Sequence, residues 1–323
     1  MKQSIVKTIF AALALSTSVL SAEEFVPIWP EGKMPFSPKK DVVIGPETVS
    51  EKGIVKNVTV PGFEVFLPEN KSLRGNMAII ICPGGAYGCL DYEREGRKTA
   101  RYLQKIGVAA FVMKYRLRQY PAKARLADLQ RAMAVVRANA KKWNISPGYV
   151  GVMGYSAGGH LAMRSVAKFG ERVYEKVDEI DEQSADPSFG VFVYAAYLTK
   201  DNKGAINEDV KPALKPGKRR LFMVSGLTDL YRHNTVDFFT AHVKANKWPS
   251  IEAHFFPDAG HGFGVTPRAK SDAVKWERLL ATWLRRIGRG IKANVSTADD
   301  TYDLTPIEIS EAEAEVKNET EED

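Results

Sequence analysis

Cysteine and histidine are both scarce in this chain. Only two cysteines occur among 323 residues, Cys82 and Cys89, too few for a disulfide framework or a zinc pattern. The two could pair in an oxidising compartment, but two free thiols are the expectation, with Cys82 buried at a strand end. Five histidines occur, none paired at the H-x-x-x-H spacing or clustered with aspartates, so neither a metal nor another cofactor is expected. Beyond the first 22 residues no segment is apolar for long enough to span a bilayer. No internal repeat is visible. No run interleaves aromatic with basic residues, which argues against a nucleic-acid partner despite a net charge of +7.

What is present is an ordinary globular composition, 44% hydrophobic and 26% charged, on a length that suits one large α/β domain or two small ones. The charge is unevenly spread. Residues 295–323 carry eleven acidic side chains against Lys317 alone, a net −10, which leaves +17 on the remainder. Such a tail, assigned here to 291–323, is expected to be solvated and disordered. At the other end, Lys2 and Lys7 precede the apolar run Ile9 to Leu20, which closes on small residues around Ser21-Ala22. This is the order of a secretory signal peptide over 1–22, and the mature protein is expected to be secreted or periplasmic.

Between these ends, residues 23–290 read as a single α/β domain. Residues 23–50 are rich in Pro and Gly and form an extended lead-in. Ile54 to Val60 and Phe63 to Leu67 alternate around Pro61-Gly62, predicting an antiparallel hairpin. Apolar runs at Met77–Cys82, Val108–Met113, Phe189–Ala195, Leu221–Ser225 and Ile251–Phe256 read as strands, as does the run entering Ser156. Helical patterns lie between them, one with a stripe of Leu126, Leu129, Met133 and Val136, and a last one over 270–287 carrying Val274, Leu280, Trp283 and Ile287 inward. Alternating strands and helices imply a mostly parallel sheet with helices on both faces and its chemistry beyond the carboxyl ends of the strands. Residues 198–219 are irregular and long enough to wall a pocket.

Chemistry-bearing residues sit at those strand ends. Gly154-Tyr155-Ser156-Ala157-Gly158 is a G-x-S-x-G turn between a strand and a helix, the context in which a serine is presented at a strained tip. A serine hydroxyl needs a base, and the base an orienting acid. His261 lies between Gly260 and Gly262 after the last strand, and Asp229 follows the strand before it. Asp237, inside a helical pattern, and Asp258, close to His261 in sequence, are the weaker candidates for the acid. Pro83-Gly84-Gly85-Ala86 offers small residues whose amides can face a developing oxyanion. Gly85 and Ala86 would act there with the N–H of Ala157. Tyr87, Tyr155 and Tyr197, with Tyr231 and Phe263, are placed to form an aromatic wall for a sugar ring or to serve as packing. His160, one helical turn beyond Ser156, reads as structural.

These residues resemble secreted α/β-hydrolases similar to acetylxylan esterases. The likeness rests on Ile28-Trp29-Pro30-Glu31-Gly32, Ile81-Cys82-Pro83-Gly84-Gly85-Ala86-Tyr87, Phe111-Val112-Met113-Lys114-Tyr115-Arg116-Leu117, Gly151 through Ala162, and Gly260-His261-Gly262-Phe263, over roughly 25–288. It implies Ser156 as nucleophile, His261 as base, Asp229 as acid, Gly85 with Ala157 as oxyanion donors, and acetyl groups on xylose units as substrate. Ala86 replaces a frequent third glycine, Leu230 replaces a frequent second acid, and the acidic tail has no counterpart. The expected activity is hydrolysis of short acyl esters on hemicellulose or of a small ester. The alternatives are a general carboxylesterase, a peptidase-like hydrolase, or a non-catalytic carbohydrate-binding protein.

Overall fold

Strands covered by helices on both faces have no solvent side, so their sequences run apolar without alternation. That rule accounts for the centre of this molecule. A computed structural model describes residues 24–68, 76–215, 217, 219–265 and 271–288. The expected signal peptide over 1–22 and the acidic tail over 291–323 lie outside the described residues.

The elements, in order, are β1 (Phe25–Pro27), β2 (Thr48–Val49), β3 (Ile54–Lys56), β4 (Gly62–Phe66), β5 (Ala78–Cys82), β6 (Leu90–Asp91), α1 (Lys98–Lys105), β7 (Ala109–Lys114), α2 (Ala122–Ala138), β8 (Val150–Tyr155), α3 (Ser156–Ala167), β9 (Phe189–Val193), β10 (Arg220–Gly226), α4 (Arg232–Ala245), β11 (Ile251–Phe256) and α5 (Trp276–Gly288). Eight strands form one sheet in the order β1-β4-β7-β5-β8-β9-β10-β11. The six from β7 to β11 are parallel, and β4 and β1 add on antiparallel. Every residue of β5, β8 and β9 is buried. The chain leaves β5 for β7 on one side and later returns to place β8 on the other. The loops after β5 and β8 therefore diverge and leave a crevice at the carboxyl ends, where open α/β sheets bind ligands.

The predicted hairpin across Pro61-Gly62 is corrected. Its two halves belong to different sheets: β3 pairs with β2 and β6 in a three-stranded antiparallel sheet, whereas β4 joins the main one. The antiparallel hairpin of this region is β2–β3, closed by Gly53 N–H donating to Ser50 O. Gly62 makes no turn. It pairs with Pro27, and a Cβ on it would come 2.5 Å from the Phe25 ring, so the missing side chain lets β1 approach. Val274 is also corrected. It is 42% exposed in a 3₁₀ turn ahead of α5, and Trp276 takes the inward place with Leu280 and Trp283.

The lead-in changes the character of α2. Its apolar stripe is buried as expected, but so are Arg125, Asp128, Gln130, Arg131 and Arg137. The chain over 28–36 supplies partners for Asp128, Arg131 and the neighbouring Arg116, whereas Gln130 bonds Glu171 and Val173, and Arg137 bonds Pro147, Ser184 and Asp186. Trp29 Nε1–H donates to Asp128 Oδ1 at 2.7 Å, Arg131 donates to Ile28 O, and Arg116 donates to Pro35 O and Phe36 O. Among the described residues no helix is long and apolar enough to cross a membrane.

Candidate active site

Ser156 lies where β8 turns into α3, with φ at +49°, a left-handed conformation that costs energy in a non-glycine residue and persists only where the surroundings enforce it. The flanking Gly154 and Gly158 enforce it by contact. A Cβ on Gly158 would fall 2.1 Å from Cys82 O, so the first turn of α3 sits directly against the end of β5.

His261, in the loop after β11, places Nε2 2.9 Å from Ser156 Oγ and Nδ1 2.8 Å from Asp229 Oδ2. Asp229 is 1% exposed, and its other oxygen accepts from Tyr231 N–H at 2.7 Å. A carboxylate only accepts, so the network assigns the ring proton to Nδ1 and leaves Nε2 to accept from the serine hydroxyl. The rings of Tyr194 and Tyr231 flank the imidazole, each with its centroid at 4.9 Å. The other two acids are occupied elsewhere. Asp237 accepts from Gly204 N–H, and Asp258 accepts from Ser271 Oγ–H and Asp272 N–H.

Gly85, Ala86 and Tyr87 follow β5 with φ of +129°, +50° and +59°, three successive residues in a strained turn. Among the described residues neither the Gly85 nor the Ala86 amide has a hydrogen-bond partner. Ala157 N–H belongs to the first turn of α3, whose amides lack intrahelical acceptors and carry the positive end of the helix dipole. Among the described residues no group of His, Cys, Asp and Glu is placed to hold a metal ion, and both cysteines are free thiols.

The tyrosines divide. Tyr87 and Tyr197 stack at 6.1 Å, and the Tyr87 hydroxyl donates to His160 Nδ1 at 2.8 Å. His160 Nε2–H donates to Asp209 in the 198–219 segment, and burial lowers the imidazole's pKa against the pull of that carboxylate. His160 thus ties the segment to α3 and makes no bond to Ser156. Tyr155 is corrected as a substrate-binding residue. It is fully buried, its hydroxyl paired with Thr99 Oγ1 at 2.7 Å beneath the elbow, out of reach of any substrate. Two residues escaped the sequence reading. Tyr194, directly after β9, packs on His261, and Glu95 bonds the glycine loop. A strand-end position was the only signal for Tyr194, and Glu95 carried none.

With this geometry in place, the comparison with known proteins is decisive for family. Residues 63–239 match the family described as BD-FAE. The chain belongs to the BD-FAE family. The BD-FAE match spans β4 to the middle of α4 and so includes Ser156 and Asp229, while His261 lies beyond it. The chain is 45% identical over 97 residues to an acetylxylan esterase of Xylanibacter ruminicola, a stretch covering 30% of this chain and 20% of that protein. It is 30% identical over 148 residues to endo-1,4-beta-xylanase B of Butyrivibrio fibrisolvens, covering 43% of this chain and 22% of that protein. The matched stretches thus span about a fifth of the length of these curated relatives. Among solved structures, the acetyl ester-xyloside bifunctional hydrolase of Caldicellulosiruptor lactoaceticus is similar with a TM-score of 0.66 and 25% identity, over 84% of this chain and 99% of that one. Propionate-bound esterase 2 of Thermogutta terrifontis follows with a TM-score of 0.60 and 21% identity, over 76% and 95% of the two chains. This BD-FAE member has the α/β-hydrolase fold.

Proposed function

We propose that the protein is a serine esterase that removes short acyl groups, acetyl foremost, from xylan or another hemicellulose. The observation that carries this reading is the unbroken hydrogen-bonded line from Ser156 Oγ through His261 to a buried Asp229. In the reaction, Ser156 Oγ attacks the ester carbonyl as His261 Nε2 takes its proton. The amides of Gly85 or Ala86 and of Ala157 receive the negative charge on the carbonyl oxygen. His261 returns the proton to the leaving alcohol, giving an acyl-serine. It then activates a water molecule that releases the acid. Asp229 keeps the imidazole in the productive tautomer and stabilises its charged form. Similarity to an acetylxylan esterase and to an acetyl ester-xyloside hydrolase supports the substrate class.

Acetyl release from acetylated xylan and from a small acetyl ester tests this, together with labelling by a fluorophosphonate. Ser156→Ala should abolish labelling and reduce kcat by about 10⁴- to 10⁶-fold. Turnover near wild type in that variant would overturn the assignment. A carbohydrate-binding protein on the same fold would leave the probe unreacted, and a general carboxylesterase would prefer longer acyl chains over acetylated xylan. Export is part of the proposal. Protein recovered outside the cytoplasm should begin near residue 22 or 23, and an intact Met1 on it would refute cleavage.

A further inference from the structure

Directly behind the glycine loop lies a carboxyl group that the triad does not use. Glu95 sits in a π-helical turn, Tyr92–Arg97, that leads into α1, and it is 3% exposed. Its two oxygens serve two different parts of the site. Oε2 accepts from Gly84 N–H at 2.7 Å, and Oε1 accepts from Tyr194 O–H at 2.8 Å. Gly84 immediately precedes the candidate oxyanion donors. A Cβ on it would lie 2.7 Å from Glu95 Oε2 and 3.0 Å from Ser156 Cβ, so the loop is held between this carboxyl and the elbow. Tyr194 packs edge-on against His261 at 4.9 Å and against Phe263 at 4.7 Å. Its φ of +36° is strained for a tyrosine, and such a conformation endures only when contacts over-determine it.

We propose that Glu95 is a positioning residue, a clamp that fixes the oxyanion loop through Gly84 and the catalytic histidine through Tyr194, holding both in one geometry relative to Ser156. The inference rests on the serine-esterase reading above. A carboxyl suits the task because two donors, an amide and a phenol, converge on one side chain whose two oxygens can each accept a hydrogen bond. Burial is tolerated because every oxygen is bonded. Burial and the neighbouring Asp91 push the carboxyl up to about 7, while Tyr194, Gly84 and Arg94 pull it back. The remaining ionisable neighbours, Tyr115, Tyr155 and Cys89, are buried or half-buried and hold their protons, each pushed up chiefly by desolvation. Donor amides misplaced by a fraction of an ångström lose much of their effect on the oxyanion, whereas substrate contacts made elsewhere are untouched.

The test uses the full chain, with active sites counted by fluorophosphonate before kinetics on a small acetyl ester. If wild type fails to react with the probe, the serine-esterase reading fails first. If it reacts, the clamp is judged separately. Glu95→Leu, which keeps the volume and loses both bonds, should lower kcat per titrated site by about 10²-fold with KM within about twofold, comparable to losing one oxyanion donor. Glu95→Gln retains an acceptor for Gly84 and can donate to Tyr194 Oη, so it should recover at least about tenfold of that loss. Tyr194→Phe removes one bond with little change in volume and should cost about tenfold in kcat at constant KM. It carries the test if Glu95→Leu does not fold. A kcat per titrated site within twofold of wild type in either Glu95→Leu or Tyr194→Phe overturns the clamp, as does a loss confined to KM.

Discussion

At the scale of single residues, the sharpest consequence concerns Asp229. Its side chain is inaccessible to solvent, and its oxygens are committed to His261 Nδ1 and Tyr231 N–H. Asp229→Asn is nearly the same size, but its amide can present a donor to Nδ1 and so favour the tautomer whose proton sits on Nε2. That ring cannot accept from Ser156. We expect kcat to fall by about 10⁴-fold with the thermal transition little changed, because the defect is one of proton placement. A kcat within tenfold of wild type would show that another acid orients the histidine. Asp237 and Asp258, bound to Gly204 and to Ser271 and Asp272, are placed to do no such thing. Ser156 and His261 could be picked out in the sequence because each is bracketed by glycines at the end of an apolar run, and Asp229 because it follows a strand. Glu95 could not. It stands in the run Asp91-Tyr92-Glu93-Arg94-Glu95, which reads as a solvated helix face, and only the fold decides that Glu95 turns inward while Glu93 stays at the surface side. Tyr155 failed in the opposite sense. Its place beside the nucleophile suggested exposure, but side chains alternate along a strand into the elbow, and this ring goes below the sheet edge to Thr99.

At the scale of elements, the parallel strands were legible because burial on both faces leaves a continuous apolar run. The two-residue strands β2 and β6 were not, since they are too short for any period to register, and β3 was legible as a strand but given the wrong partner. The helix α2 is the instructive case. Four apolar positions disclosed one face, and the opposite face, with its arginines and Asp128, looked destined for water. The lead-in covers part of it and residues 171–186 another part, and covering charges obliges the structure to pair them. Asp128 accepts from Trp29 Nε1–H, from Arg116 N–H and from the Arg116 guanidinium, and both partners of that ion pair are fully buried. Asp128→Ala would leave the guanidinium buried without its carboxylate and unpin Trp29. The expected loss is about 3–5 kcal/mol, read as a lower urea midpoint at unchanged slope. A loss below about 1 kcal/mol would mean that the backbone carbonyls of Pro35, Phe36 and Ala124 suffice for Arg116.

At the scale of the whole molecule, the buried ionisable groups set opposing pH slopes on stability. Glu95 and Glu277 are both pushed up to about 7 by burial, and one oxygen of Glu277 has no partner among the described residues. A carboxyl whose folded pKa is raised stabilises fully below its unfolded value, and that contribution is lost as pH rises through the folded one. His160 and His242 are pushed down, again chiefly by burial, so their contribution is complete above the ordinary histidine value and is lost as pH falls below it. The two sets of groups therefore oppose each other across the acidic range, and at neutrality the histidine contribution is complete while the carboxyl contribution has been lost. Glu95→Gln should separate them. Wild type gives up about 3 kcal/mol at Glu95 between pH 4.5 and 7, and the neutral amide gives up none. With that falling slope gone, only Glu277 still opposes the histidines. The urea midpoint of Glu95→Gln relative to that of wild type should climb steadily between pH 5 and 7.5, the difference being greatest at the alkaline end. Parallel curves for the two proteins would show that Glu95 does not titrate in that window. The buried clamp would then be an ionised carboxylate throughout, sustained by Gly84, Tyr194 and Arg94.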